Sequence, residues 1–541
     1  MWPQNYTPAG GSLVLSALIA AIPVFVLLLL LGLWRKPAWI ASLAGVAAAA
    51  AVAFGAYGMH VGALASAIGY GAAFGLFPIG WVVFTAILLY NITVQTGKFQ
   101  VVKDSVGSLT EDRRLQALLI AFAFGAFIEG AAGFGTPVAV SAAMLTGLGF
   151  SPFYAAGICL LANTAPVAFG SIATPIVTLA GITGLPVDRL SAGVGRVCAP
   201  VSLIVPAYLV LVMGGWKALR GVLPAAALCG VAFAGTQFLV SNFIGPQLTD
   251  ILSSLAAIGS LVVLFKLWTP KQGFKLEEHS SAHVAPQRHE TGELLLAWGP
   301  YILLVIFVLL WGYKPVQLKL NTVTQAFAWP GLHNVIGRMP PVVLKPAPYA
   351  AMYTFNWLSA PGTACLFAAL LSALLLRMPL SQFLRVFWST VKQLLLAEVT
   401  IASVLALAFL MNYSGATATL GLAFAATGAL FPFFSALLGW LGVFLTGSDT
   451  ASNALFGNLQ VITAGTLHMN PVLMASSNSA GGVMGKMISL QSIAVASAAT
   501  AMDSHDEGRL FRFTLRHSIL LASLTGLLVV FYTYVAPGLA P

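Results

Sequence analysis

The chain reads as an all-α polytopic membrane protein of roughly 12–14 spans in two inverted repeats with re-entrant or broken helices. Three observations carry that reading. Of the 541 residues 59% are hydrophobic and 7% charged, with a mean hydropathy of +0.92. A soluble domain carries about 25% charged residues, so this chain has too few to clothe a water-facing surface. Apolar runs recur along its whole length, and they are continuous stretches, not the short alternating segments of a β-barrel. In each half, apolar segments are interrupted by glycine and polar residues in corresponding places, the best sequence pointer to a transporter's central site.

The runs come in order at Leu13–Leu33, Ile40–Gly58, Trp81–Tyr90, Leu115–Phe127, Val197–Met213, Val222–Val240, Ile251–Trp268, Trp298–Trp311, Cys365–Leu376, Leu394–Met411 and Ser518–Tyr534. Each approaches the ~20 residues that cross about 30 Å of hydrocarbon, or is an interrupted version of that length. The opening "MWPQNYTPAGG" has no basic region and the run after it is too long for a cleavable leader, so the first helix is expected to stay in the membrane. Cys159, Cys198, Cys229 and Cys365 lie in or beside apolar runs with no CxxC spacing and read as small buried hydrophobes.

The net charge of +10 resides mostly in loops, at Arg35–Lys36, Lys98–Arg114, Lys217/Arg220, Lys266–Arg288, Arg377–Lys392 and Arg509–Arg516. It therefore reports topology, not nucleic-acid binding, and places those loops inside and the N-terminus outside. The long loop Lys314–Lys345 is assigned outside by parity. One stretch looks soluble, residues 266–293, and divides the chain into an N-terminal transmembrane half (1–265) and a C-terminal half (294–541), each with one broken-helix repeat. His279, His283 and His289 lie there without cysteine partners, a poor metal set, so neither metal nor cofactor is expected.

The chemistry-bearing segments are "FIEGAAGFGTPVAV" (127–140) with "LLANTAPVAFGSIATP" (160–175), and "FLTGSDTASNALF" (444–456) with "ASSNSAGGVMGKMIS" (475–489). A helix that stops inside the bilayer leaves N–H and C=O groups unpaired at several kcal/mol each, tolerable only where they face protein, water or a ligand. Half-helix N-termini then offer partial positive charge and free donors to an anion. Gly130, Gly133, Asn163, Thr164, Ser448, Asn453, Ser477 and Asn478 are the expected neutral substrate contacts at these breaks.

Burying a charge in a span costs at least ~2.5–3.5 kcal/mol, so ionisable groups there are functional candidates. Glu129, at the first break, and Asp449, at the second, are expected to couple protons. Lys486 is expected to attract an anionic substrate or to pair with those carboxyls. Glu398 is mid-helix and reads as structural, and Arg189 and Arg196 read as loop anchors. "GFG" superficially matches a potassium filter, but such filters need four copies around a pore. HExxH, Walker and nucleophile-elbow motifs are missing, so an enzyme is not expected.

"FIEGAAGFGTPVAV", "AAGICLLANTAPVAFGS", "SNFIGPQLTDILSSL", "MNYSG", "GWLGVFLTGSDTASNALF", "GGVMGKMIS" and the opening "QNYTPAGG" resemble the bacterial L-lactate permease family over essentially the whole chain. The resemblance implies a multi-pass inner-membrane symporter of protons with L-lactate, D-lactate or glycolate, working through re-entrant hairpins and elevator-type motion. Its partners would be a small monocarboxylate, protons and lipid, with a homo-oligomer allowed and no nucleic acid. A sodium-coupled carboxylate transporter and a passive anion channel stand as the alternatives.

Overall fold

The computed structural model describes residues 1–133, 135–270 and 289–541. The expected linker at 266–293, with His279 and His283, falls largely on residues outside that set. Among the described residues ten helices are long and apolar enough to cross a membrane, or twelve if each of two bent pairs forms one span. The protein is thus a helical multi-pass membrane protein. Its span count meets the expected 12–14 only at the lower edge, because several apolar runs fuse. Val197–Met213 and Val222–Val240 both lie in the helical segment Val187–Phe243, which breaks at Gly214, Gly215 and Val222. Likewise Val61–Gln95 is one passage, broken at Phe77, whose extended φ/ψ of −143°/123° precedes Pro78. The helix Leu380–Ser414 runs 35 residues, about 52 Å at 1.5 Å per residue, longer than the bilayer core. Its first half carries exposed Arg385 and Lys392, as a helix that starts in water requires.

The loop after Gly312 is structured. Trp2–Pro3 pairs in parallel with Ile336–Arg338, which pairs antiparallel with Ala347–Pro348, while Gln325–Ala328 pairs antiparallel with Met352–Phe355. These small sheets put the N-terminus and the 314–345 loop on one side, as the parity argument expects. The Gln4 side-chain amide finishes the join: its Nε2 donates to the carbonyls of Asn412 and Tyr413, both at 2.9 Å. Those carbonyls end the helix Leu380–Ser414, and that of Asn412 also accepts from the capping Gly415 N–H at 3.3 Å.

Two hydrophobic cores form. The smaller gathers the helices Leu13–Gly32, Ala38–Gly55 and Val61–Phe74 around the second half of Leu380–Ser414. The larger holds most of both broken-helix regions. All four cysteines are free and buried. Beside the larger core, His289 bonds Asp104 (Nε2–Oδ2 3.0 Å) and Glu293 (Nδ1–Oε2 3.1 Å), and Lys98 reaches Glu293 at 3.1 Å. The hydrogen bonds to Asp104 and Glu293 push the His289 imidazole above its ordinary range.

Candidate functional site

The first break is built from glycines and a tertiary hydroxyl. The helix Gly125–Ala131 ends where Gly133 and Gly135 take φ of +63° and +82°, and Thr136–Gly147 restarts with Pro137 in its first turn. An L side chain is strained at such φ. At Gly133 it is also shut out by space, since a Cβ would lie 2.3 Å from Ser171 Oγ. That hydroxyl instead donates to the Ala132 carbonyl at 2.6 Å, satisfying a group freed by the break.

Ser171 belongs to the matching arm. The helix Pro152–Ala162 is capped by Asn163, turns through a short 3₁₀ segment at Val167–Phe169, and resumes toward Thr183 at a bend of 64°. Between the two, Ser171, Ile172 and Ala173 hold left-handed φ of 45°, 56° and 60°. Each costs about 1–2 kcal/mol, so the surroundings must hold them. The Ser171–Ala132 bond does so, with Thr174 Oγ1 donating to the Ser171 carbonyl at 2.7 Å. Gly170 leaves the notch that admits Glu129, whose Oε1 would sit 2.5 Å from an added Cβ. Asn163 Nδ2 donates to Glu129 Oε2 at 2.9 Å, so both arms of the first break grip that carboxyl.

The second break is assembled differently. The helix Phe431–Thr446 stops at Gly447, φ +71°, and Ser448 caps Asp449–Thr466 by accepting from the Ala451 N–H at 3.2 Å. Asp449 therefore stands in the first turn of a helix, where an anion is stabilised. Its Oδ2 accepts from Ser479 Oγ and, at 3.3 Å, from Asn453 Nδ2. Beside it Pro471–Gly485 gives way to a 3₁₀ turn at Lys486–Ile488, and Leu490–Thr500 continues at a bend of 43°. The glycines here are packing residues. A Cβ on Gly481 would come 2.0 Å from the Ala436 carbonyl, and one on Gly485 would come 2.3 Å from the Trp440 carbonyl. One turn apart, they let the helix Phe431–Thr446 approach backbone to backbone.

The two breaks meet. A cavity of about 300 Å³ is lined by Glu129, Ser171 and Thr174 from the first and by Ser448, Asp449 and Lys486 from the second. Thr446 and Gln491 add polar atoms, and an apolar wall comes from Leu27, Leu31, Trp39, Leu396 and Ile401. Since a water's share of liquid volume is about 30 Å³, the space takes a small organic acid with a few waters. It lies at the seam of the two cores, with Leu27 and Val404 from one and Val167 from the other. Lys486 Nζ donates to the Gly447 carbonyl at 2.6 Å and lies within electrostatic reach of both Glu129 and Asp449. It forms no direct ion pair with either. One buried cation thus faces two buried carboxyls across an opening, an arrangement that can seat an anion and hold its countercharge.

Four of the sequence-predicted residues, Glu129, Ser448, Asp449 and Lys486, line this cavity. Asn163 supports it through Glu129. Asn453 and Asn478 stand behind Asp449 in a buried chain: Asn478 Nδ2 donates to Asn453 Oδ1 at 2.9 Å, and Gln460 Nε2 to Asn478 Oδ1 at 3.0 Å. Gly133 shapes the break without lining the cavity. The structure does not bring the other three there. Thr164 Oγ1 bonds its own helix at the Leu161 carbonyl, Ser477 ties to Met474 and Ser435, and Gly130 packs on Asp250 and Ile251. Glu398 turns from the cavity into the notch of Gly80. Arg196 is an anchor, donating to Asn242 Oδ1 and to the carbonyls of Leu539 and Ala540.

Sequence reasoning missed Ser171, Thr174 and Gln491. The signal for the first two was present in "FGSIATP", where Gly170 and Pro175 bracket a stretch that cannot be a simple helix. It also missed Asp250, a fully buried carboxyl beside the first break.

The profile of the L-lactate permease family matches residues 16–536. The chain is 44% identical over 551 residues to the L-lactate permease of Salmonella typhimurium, covering 100% of both chains. It is 43% identical over 556 residues to the glycolate permease of Escherichia coli, covering 99% of each. Among solved structures it is similar to the YdaH transporter of Alcanivorax borkumensis, with a TM-score of 0.46 at 16% identity over 88% of each chain.

Proposed function

The chain belongs to the L-lactate permease family, and from that premise we propose that it imports L-lactate and related 2-hydroxymonocarboxylates, glycolate among them, with one proton per anion. It is a transporter and not an enzyme, working in a bacterial membrane. The observation that carries the coupled reading is the single cavity holding Lys486 with Glu129 and Asp449. In this reading the substrate carboxylate lies against Lys486 Nζ and the first-turn N–H groups of the helix Asp449–Thr466. Its hydroxyl meets Thr174, Gln491 or the Ser171 turn, and its short carbon chain lies on the wall of Leu27, Leu31 and Ile401.

The proton offsets the anion. An uncompensated charge costs about 2.3 kcal/mol per 100 mV, and an inside-negative potential opposes anion uptake. Glu129 faces the cavity and is hydrogen-bonded on one oxygen only from the Asn163 side chain. Taking a proton there while lactate binds at Lys486 leaves the net charge of the site unchanged, so the loaded and empty sites cross the field alike. The seam between the two cores is where one body would slide on the other, with the paired breaks as the moving site.

Labelled lactate uptake into proteoliposomes, with pH and sodium gradients imposed separately, tests this. Accumulation should follow the pH gradient and ignore sodium. Glu129→Gln should abolish accumulation yet keep lactate–lactate exchange. Uptake that tracks sodium at fixed pH, or current without accumulation, would overturn proton symport.

A further inference from the structure

Asp250 stands in the first turn of the helix Thr249–Leu267 and is only 1% exposed. Neither of its carboxyl oxygens has a hydrogen-bond partner, and it does not line the cavity. It is nevertheless built against the coupling site. A Cβ on Gly130 would lie 2.8 Å from Asp250 Cβ and 3.1 Å from the Ile251 nitrogen, so the residue after Glu129 is a glycine because Asp250 occupies that space. The two carboxyls are near enough to interact electrostatically.

The side-chain amides around the first break spend their donors elsewhere. Asn163 and Gln237 use their amide N–H groups on Glu129 Oε2 and on the Ala165 carbonyl, and leave their own carbonyl oxygens, buried, without a partner. The titratable neighbours are Glu129, on the packed helix Gly125–Ala131, and Cys198, on the segment Val187–Phe243, which reaches both Asp250 and Asp449. Lys486 acts on Glu129 and Asp449, and Arg196 is held by Asn242 and the carbonyls of Leu539 and Ala540, so neither of these cations compensates Asp250. An ionised carboxyl buried without donor or cation is far costlier than a neutral one. The neutral acid also lacks an acceptor for its O–H, at about 1–3 kcal/mol. A group satisfied in neither form is poised for a partner that arrives in another step.

We propose that Asp250 is a second proton-holding group of the transport cycle, exchanging one proton with Glu129. The reading rests on proton symport as proposed above. When Glu129 ionises beside Lys486, the O–H bond at Glu129 breaks and one forms at an Asp250 oxygen. One carboxyl gains what the other loses, and the site's net charge does not change. Glu129 then faces the cavity as the exchanging group, while Asp250 stores the proton where water does not reach.

The test compares wild type, D250N and D250S in proteoliposomes, reading lactate counterflow at fixed pH, lactate accumulation under a pH gradient, and luminal proton uptake by a trapped dye. One proton per lactate across a one-unit gradient sustains about tenfold accumulation. Wild type should reach it. A variant that cannot titrate at 250 should keep counterflow, lose its pH dependence and accumulate no lactate. Wild-type-like accumulation and proton uptake in either variant would overturn the role of Asp250. Loss of counterflow in both variants would overturn it too, since a storing carboxyl is dispensable for exchange. If wild type itself takes up no protons with lactate, it is proton symport that fails, a distinct result.

Discussion

Replacing Lys486 by Gln removes the cavity's cation while keeping a side chain able to donate to the Gly447 carbonyl, which Nζ reaches at 2.6 Å. Two consequences follow from what faces it. For the substrate, a charge-assisted contact worth about 1.5–3 kcal/mol disappears, which weakens apparent lactate affinity roughly 10- to 150-fold. For the empty protein, Glu129 and Asp449 lose the countercharge they share. Breaking a buried charged cluster on one side costs about 3–5 kcal/mol, so the single variant should melt earlier. The double variant K486Q/E129Q should recover part of that loss, because the uncompensated carboxyl is gone. Counterflow in proteoliposomes reads the affinity, and thermal unfolding of the purified proteins reads the cycle. An unchanged apparent affinity, or a double variant whose losses simply add, would refute a cation shared between substrate and carboxyls.

Further expectations concern the frame. Gly485→Ala drives a Cβ to 2.3 Å from the Trp440 carbonyl and should cost about 1–3 kcal/mol by overpacking, seen as a lower melting temperature and poor yield. Gly133→Ala meets both a left-handed φ and Ser171 Oγ, so it should displace the Ser171 turn and cut transport, whereas Gly147→Ala, with open space around it, should do neither. Ser171→Ala removes the donor to the Ala132 carbonyl and should destabilise by about 1 kcal/mol while slowing counterflow. His289, raised by Asp104 and Glu293, stabilises the junction between the Asp104 segment and the start of the helix Thr291–Gly312 fully below its ordinary value near 6.5 and loses that contribution as pH climbs through the raised one. Proteolysis at that junction should therefore quicken on the alkaline side in wild type, and His289→Gln should flatten the profile.

Much of the site was legible because its chemistry is costly. Glu129, Asp449 and Lys486 stand out in apolar sequence since nothing but a partner or a function offsets a charge there. Left-handed glycines at 133 and 447 then mark where the helices break. Packing was less legible. Gly481 and Gly485 read as part of the break around Lys486, yet they serve a helix crossing whose partner lies some forty residues earlier. The run Ser171–Ala173 is held left-handed by a bond to Ala132, a tertiary contact that local propensity does not encode. The apolar wall of Leu27, Leu31 and Trp39 looks like any lipid-facing stretch until the chain is folded. Asp250 escaped notice in "GPQLTDIL", where polar neighbours make a carboxyl look like part of a loop.

A map of the protein frozen with saturating lactate bears most directly on the paired breaks as the substrate seat. Density for the acid should lie in the cavity with its carboxylate against Lys486 Nζ and its carbon chain toward Leu27 and Ile401. Density at any other place, with Lys486 still bonded to Gly447 across an empty cavity, would contradict it.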